Sequence, residues 1–297
     1  MVTILALAAA VLYGTADFLG GVASRRARVF AVLATTVPAG AAVVLVVALL
    51  GEAPGLGGLL GHGLGSPTSM GWDAVGWAAL SGICGAAGLI AFYAGFAAAP
   101  ISVVAPVAAL VSTVLPVGIA IAGGERLTAR MLAGGLICLV AIAGVSMPAA
   151  RRDGQDAGAA RLRGLAYGAA AGAGFGLFFL CLKNAGQSGV LWPVAISRTA
   201  GTLVAVGIAV ATKTRPWRRD GGGTGVIALV SGAVDAAANV CYVLATRAGL
   251  FGLAVVITSL YPGMTVLLAR WVLGERMRWV QRAGLLLAAA GVVLLTT

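Results

Sequence analysis

Apolar residues fall in ten long runs, at approximately 2–21, 29–50, 74–97, 101–122, 129–147, 164–183, 189–211, 224–245, 250–272 and 280–296. About 20 apolar residues cross the roughly 30 Å hydrocarbon core of a bilayer as a helix. Each run therefore predicts one transmembrane helix. Between the runs lie short polar or glycine-rich stretches, the longest being 51–71 and 148–163. The second carries Arg151, Arg152, Asp153, Asp156, Arg161 and Arg163, and reads as a linker. No stretch is left over for a soluble domain.

The runs also repeat. Leu110–Val145 and Leu260–Leu295 repeat one pattern, each ending an apolar helix at Gly-Glu-Arg before a further apolar helix: Gly124-Glu125-Arg126, then Gly274-Glu275-Arg276. The two signatures lie 150 residues apart in a chain of 297. This divides it into a first five-helix repeat (1–147), a linker (148–163) and a second five-helix repeat (164–297). Weaker matches pair Tyr13-Gly14 with Phe175-Gly176, and Phe92-Tyr93 with Cys241-Tyr242. Five is odd, so the second copy must enter the membrane upside down. The expected fold is all-α and integral to the membrane, with ten transmembrane helices as two inverted five-helix repeats. Many secondary transporters are built this way, with a site between the halves that opens to alternate sides.

Composition agrees with lipid as the solvent. Sixty per cent of residues are hydrophobic and 10% charged, against about 25% charged in soluble domains. The 45 glycines are spread through the runs, where small residues let membrane helices approach closely. Cys84, Cys138, Cys181 and Cys241 all lie in apolar runs, so no disulfide framework or zinc site is indicated. His62 is the only histidine, which excludes histidine-based metal chemistry. The glycines of 55–65 loosely mimic a phosphate loop, but no strand precedes them and no Lys-Ser/Thr comes after. No cofactor is expected.

The net charge of +11 could suggest nucleic acid, but its placement argues against that. Fifteen of the 20 Lys and Arg border the odd-numbered connections: Arg25, Arg26, Arg28, Arg151, Arg152, Arg161, Arg163, Lys213, Arg215, Arg218, Arg219, Arg270, Arg276, Arg278 and Arg282. This is the positive-inside bias of a membrane protein. With ten crossings it puts both termini outside the cytoplasm. The first run has no basic residue before it and three after it, the reverse of a cleaved signal peptide.

The order and spacing of these features resemble the EamA branch of the drug/metabolite transporter superfamily, over nearly the whole chain. The residues that carry the likeness are the two five-helix copies, the stretch Tyr13-Gly14-Thr15-Ala16-Asp17-Phe18, Pro262 thirteen residues before Glu275, and the Gly-Glu-Arg turns. The resemblance implies a plasma-membrane exporter of small metabolites, amino acids or drugs, with a cavity between the halves. The first copy departs from the second in having Ser112 where the second has Pro262, and Thr36 where the seventh helix has Arg198. Family members commonly keep both termini in the cytoplasm. The charges here point the other way, and we follow the charges.

An ionisable side chain near the bilayer centre costs roughly 2.5–3.5 kcal/mol on insertion scales, so each needs a reason. Asp235 lies midway along the eighth run among Ala233, Ala236, Ala237 and Ala238, with Asn239 one turn on; Arg198 lies midway along the seventh. Either the two are a structural ion pair, or Asp235 accepts a proton or anchors a cationic substrate while Arg198 tunes it. Asp17 is a third candidate, with a snorkelling carboxylate facing Arg25 as the plainer reading. Lys183 reads as an interface anchor. Tyr13, Tyr93, Phe175, Tyr242 and Tyr261 lie in the helices that the resemblance places around the cavity, and packing is the competing role for each. Pro106, Pro116 and Pro262 are expected inside helices, where they kink the helix or mark the cavity. Trp72, Trp77, Trp192, Trp217, Trp271 and Trp279 sit near run ends, as an interfacial belt does.

The expected partners are a small-molecule substrate, lipid and protons as coupling ion, with monomer and homodimer both open. A membrane enzyme would need a catalytic constellation that the sequence lacks. A passive exchanger and a non-transporting scaffold remain the alternatives.

Overall fold

The computed structural model describes residues 1–24, 26–27, 29–51, 70–99, 101–145, 157–213, 223–274 and 279–296. Among them the regular structure is helical: α1 (Val2–Ser24), α2 (Val29–Gly51), α3 (Trp72–Ala98), α4 (Ile101–Ala122), α5 (Ala129–Val145), α6 (Ala157–Ala185), α7 (Leu191–Ala211), α8 (Gly223–Ala248), α9 (Phe251–Thr258), α10 (Tyr261–Val272) and α11 (Trp279–Thr296). A short 3-10 turn, Gly186–Ser188, comes after α6. Counting Phe251–Val272 as one interrupted segment, seven are long and apolar enough to cross a membrane. Val107–Ala122, Ala129–Gly144 and Trp279–Leu295 are also apolar but shorter.

Two expectations need correction. The ninth run is not one helix: it stops at Thr258 and restarts at Tyr261, with Pro262 in the first turn of α10 rather than inside a helix. A proline lacks the N–H that would bond the carbonyl four residues back. Yet Pro106 and Pro116 leave α4 helical throughout, so proline alone does not cause the break. At Pro262 the next residue is Gly263, whose N–H turns back to the Leu260 carbonyl at 2.9 Å and closes a tight turn. The second correction is to the linker, whose residues 157–163 are the first two turns of α6. Their arginines hide that extension from a reading of apolar runs. The second Glu-Arg turn lies outside the described residues.

Gly124 stands at φ 92° and Gly274 at φ 68°, the left-handed region that favours glycine. At Gly124 the helix end is closed by Glu125 N–H to Ala120 O and Gly124 N–H to Ile121 O, both 3.0 Å, a Schellman pair. The repeated Gly is thus the residue that ends each helix before its Glu-Arg.

Packing runs in matched sets. α1 lies against α8, and α3 against α6; α2 meets α7 and α8, and α7 meets α2 and α3. α4 packs on α6, while α9 and α10 pack on α1, and α5 pairs with α11. Each contact has a counterpart five segments further along. Close approach is made at equivalent glycines. A Cβ on Gly82 would strike the Ser197 carbonyl oxygen and the Gly201 nitrogen; one on Gly232 would strike the Thr36 carbonyl oxygen and the Ala39 Cβ. Large apolar side chains such as Leu203, Val210 and Leu286 are left exposed, as lipid-facing residues are. Exposed Trp72 and Trp279 mark segment ends.

Candidate substrate and proton site

The largest buried cluster contains Tyr13, Phe179, Tyr242, Phe251 and Val255, from α1, α6, α8 and α9. Its rings interlock. Tyr13 meets Phe179 edge-on at 6.0 Å between centroids and Tyr261 at 6.2 Å, and Phe179 lies 4.8 Å from Tyr242. The two deepest hydroxyls are both anchored. Tyr242 donates to the Phe179 carbonyl at 2.9 Å, and Tyr13 donates to Asn239 Oδ1 at 2.9 Å. A buried phenol needs such a partner, because an unpaired hydroxyl in this environment loses the full desolvation free energy.

Asn239 passes the chain of contacts on. Its amide donates to the backbone carbonyl of Asp235, one turn earlier on α8, at 2.6 Å. The Asp235 carboxylate in turn receives the Arg198 guanidinium from α7 as an ion pair. The Arg198 side chain is 12% exposed and that of Asp235 30%, so the pair opens to free space on the acid's side. Arg198 Nε is buried and donates to nothing among the described residues. Asp17 is exposed, yet stands close enough to both Asp235 and Tyr261 to act on them electrostatically. Its carboxyl forms no ion pair among the described residues; Arg25, the suggested partner, lies outside them. Two carboxyls and one guanidinium therefore lie near one another, and among the described residues only Asp235 is paired with the guanidinium.

Of the residues singled out from sequence, Asp235, Arg198, Asp17, Asn239, Tyr13, Tyr242 and Tyr261 come together. Phe175 does not: its ring lies against Phe92 at 5.9 Å, within the α3–α6 contact. The side chains of Tyr93 and Pro106 fall outside the described residues, and Pro116 is buried beside Gly176. Sequence reasoning missed Phe179, the ring that Tyr13 touches. Matching copies leads to Phe175, the counterpart of Tyr13; Phe179 is one turn further along the same face. It also missed Ser231 and Thr265, whose hydroxyls bond the Ala16 carbonyl at 2.8 Å and the Gly14 carbonyl at 3.1 Å. These pin α8 and α10 to α1.

Lys183 is no simple anchor. Its Nζ lies 5.3 Å from the Phe251 ring centroid, and with Glu125 and Asn184 it lines a cavity of about 300 Å³ between the ends of α4 and α6 and the start of α9. Glu125 Oε1 accepts the Gly252 N–H at 2.8 Å, capping α9 from the α4–α5 turn.

Residues 162–297 match the family model described as the EamA-like transporter family. Over these residues the chain is similar to that family, a branch of the drug/metabolite transporter superfamily. The match takes in Arg198, Asp235, Asn239, Tyr242, Tyr261 and Pro262, while Tyr13 and Asp17 lie before it. No curated protein matches the sequence closely. Among 27 solved chains that match is a crystal structure described only as that of a protein, 18% identical, with a TM-score of 0.72. The alignment covers 99% of this chain and 96% of the other. At that identity the likeness establishes a shared fold and nothing more. The similarity to that family and the seven helices long and apolar enough to cross a membrane agree in describing a multi-pass membrane protein.

Proposed function

We propose that this EamA-like transporter is a secondary exporter of small metabolites, amino acids or amphipathic drug-like compounds. It works by alternating access between two inverted five-helix repeats in the plasma membrane, and inward proton flow drives it. The matched packing sets and the paired glycine notches support the repeat. The basic connections support both termini lying outside the cytoplasm. One observation carries the mechanism: a second carboxyl, Asp17, acts on Asp235, whose ion-pair partner among the described residues is the Arg198 guanidinium.

The site suits a proton or a cationic substrate group, since either adds a positive charge beside the two carboxyls. Uncompensated charge is penalised within a membrane, so binding there biases the arrangement of helices around it. Arg198 holds Asp235 in place, and its free Nε offers a donor to a substrate carboxylate. The aromatic wall of Tyr13, Phe179, Tyr242 and Tyr261 gives the apolar part of a solute a surface to stack on. Alternating access then requires α1 and α8, which carry most of these groups, to move against α6 and α7.

The test is flux in proteoliposomes with and without a pH gradient. Asp235→Asn should insert normally yet lose gradient-driven export, while exchange of substrate across the membrane survives. Gradient-driven export at the wild-type rate would end the coupling role of Asp235. If loss appears instead in Asp17→Asn, the second carboxyl carries the proton. Flux that never responds to pH in the wild type would point to a passive exchanger.

A further inference from the structure

The break between α9 and α10 leaves polar atoms that the proposed proton site does not use. Every residue from Phe251 to Ser259 is buried. Thr258 is 0% and Ser259 2% exposed, and the hydroxyl of each is without a hydrogen-bond partner among the described residues. Several hydroxyls elsewhere in these helices bond a carbonyl three or four residues back, as those of Thr113, Thr199, Thr202 and Thr246 do, and Ser81 and Ser231 bond neighbouring helices. Here two consecutive hydroxyls do neither.

The adjoining backbone adds further acceptors. The Thr258 carbonyl faces Pro262 in the helical register, and proline has no N–H to give it. The Gly263 N–H, which would serve Ser259 in an unbroken helix, is used by Leu260. Thr258 also ends α9, where the helix dipole is negative. At 1.5 Å per residue, eight residues of α9 place the break about 12 Å from one end of the segment and twelve of α10 about 18 Å from the other. This is close to the middle of a roughly 30 Å core.

We propose that the α9–α10 break is a binding site for a dehydrated monovalent cation of the size of Na⁺, held by the Thr258 and Ser259 hydroxyls and the carbonyls beside them. The atoms on offer are oxygens, which a hard cation takes and an anion does not. Thr258 to Gly263 contain no carboxylate, so a divalent ion would bring more charge into the bilayer than these neutral ligands can balance. Unwound carbonyls at a helix break are where many membrane transporters place such ions. The site lies on a different helix from the Arg198–Asp235 pair, and its existence does not depend on proton coupling.

The experiment is thermal unfolding of the purified protein in NaCl, KCl and choline chloride at equal ionic strength, with ²²Na⁺ equilibrium binding alongside. Saturating Na⁺ should raise Tm by roughly 3–6 °C over choline, and ²²Na⁺ should bind saturably at one site per chain. Ser259→Ala and Thr258→Val should each lose the shift, Thr258→Ser should keep it, and Asp235→Asn should keep it even where proton-driven export is gone. Equal Tm in all three salts together with no saturable ²²Na⁺ binding would overturn the site. So would a Na⁺ shift that persists in both hydroxyl variants, since that places the ion elsewhere. Should both variants fail to fold, the wild-type ²²Na⁺ isotherm decides alone.

Discussion

α4 and the α9–α10 segment occupy equivalent places in the two repeated passages, yet one is continuous and the other broken. In α4, Ser112 and Thr113 both return their hydroxyls to the Ala109 carbonyl, at 3.0 and 2.9 Å, and the helix runs on through Pro116. At the corresponding point of the second copy stands Pro262, and Thr258 and Ser259 just before it have hydroxyls without a hydrogen-bond partner among the described residues. A single exchange of a residue with an N–H for one without, with glycine next in the chain, separates a rod from a hinge. Two passages built on the same Gly-Glu-Arg pattern therefore pack differently: one lies against α6, the other, broken in the middle, against α1.

Each copy can be rewritten as the other. Pro262→Ser gives the second copy the first copy's residue and returns a donor to the Thr258 carbonyl. The variant should fold, and its flux in proteoliposomes should fall at least about tenfold, equivalent to about 1.4 kcal/mol in barrier. Wild-type flux would show that the joint is not used. Ser112→Pro writes the joint into α4. It should lower stability by about 3 kcal/mol in denaturant or thermal unfolding, because α4 has no glycine turn at that point to take up the break. An unchanged Tm would mean that α4 tolerates a third proline as it does the other two. The last test is where the copies should agree. Gly82→Leu and Gly232→Leu overfill equivalent notches, so each should cost about 1–3 kcal/mol, with the two values alike. A large difference between them would separate the halves.

The segment ends were legible in the apolar runs, because membrane helices announce themselves by length and composition. The break was not, since the effect of a proline depends on its neighbours in the chain: Pro106 and Pro116 are passed over, while Pro262, with Gly263 beside it, is not. The basic start of α6 was equally hidden, as Arg161 and Arg163 make its first turns look like linker. Asp235, Arg198 and Asp17 stood out by the expense of charge in lipid, but their proximity could be read only from the packing of α1, α7 and α8. Phe175 shows the opposite failure. Repeats reveal which residues correspond, whereas a site is made of residues that touch.

Glu125 caps α9 through Gly252, and the other end of that eight-residue helix is the joint at Ser259. The piece is thus held like a connecting rod, clamped at its head to the first half of the chain and ending at its foot in the break. The break lies some 12 Å from a clamp supplied by the other half of the chain, so one short helix ties the place of the α4–α5 turn to the middle of the segment.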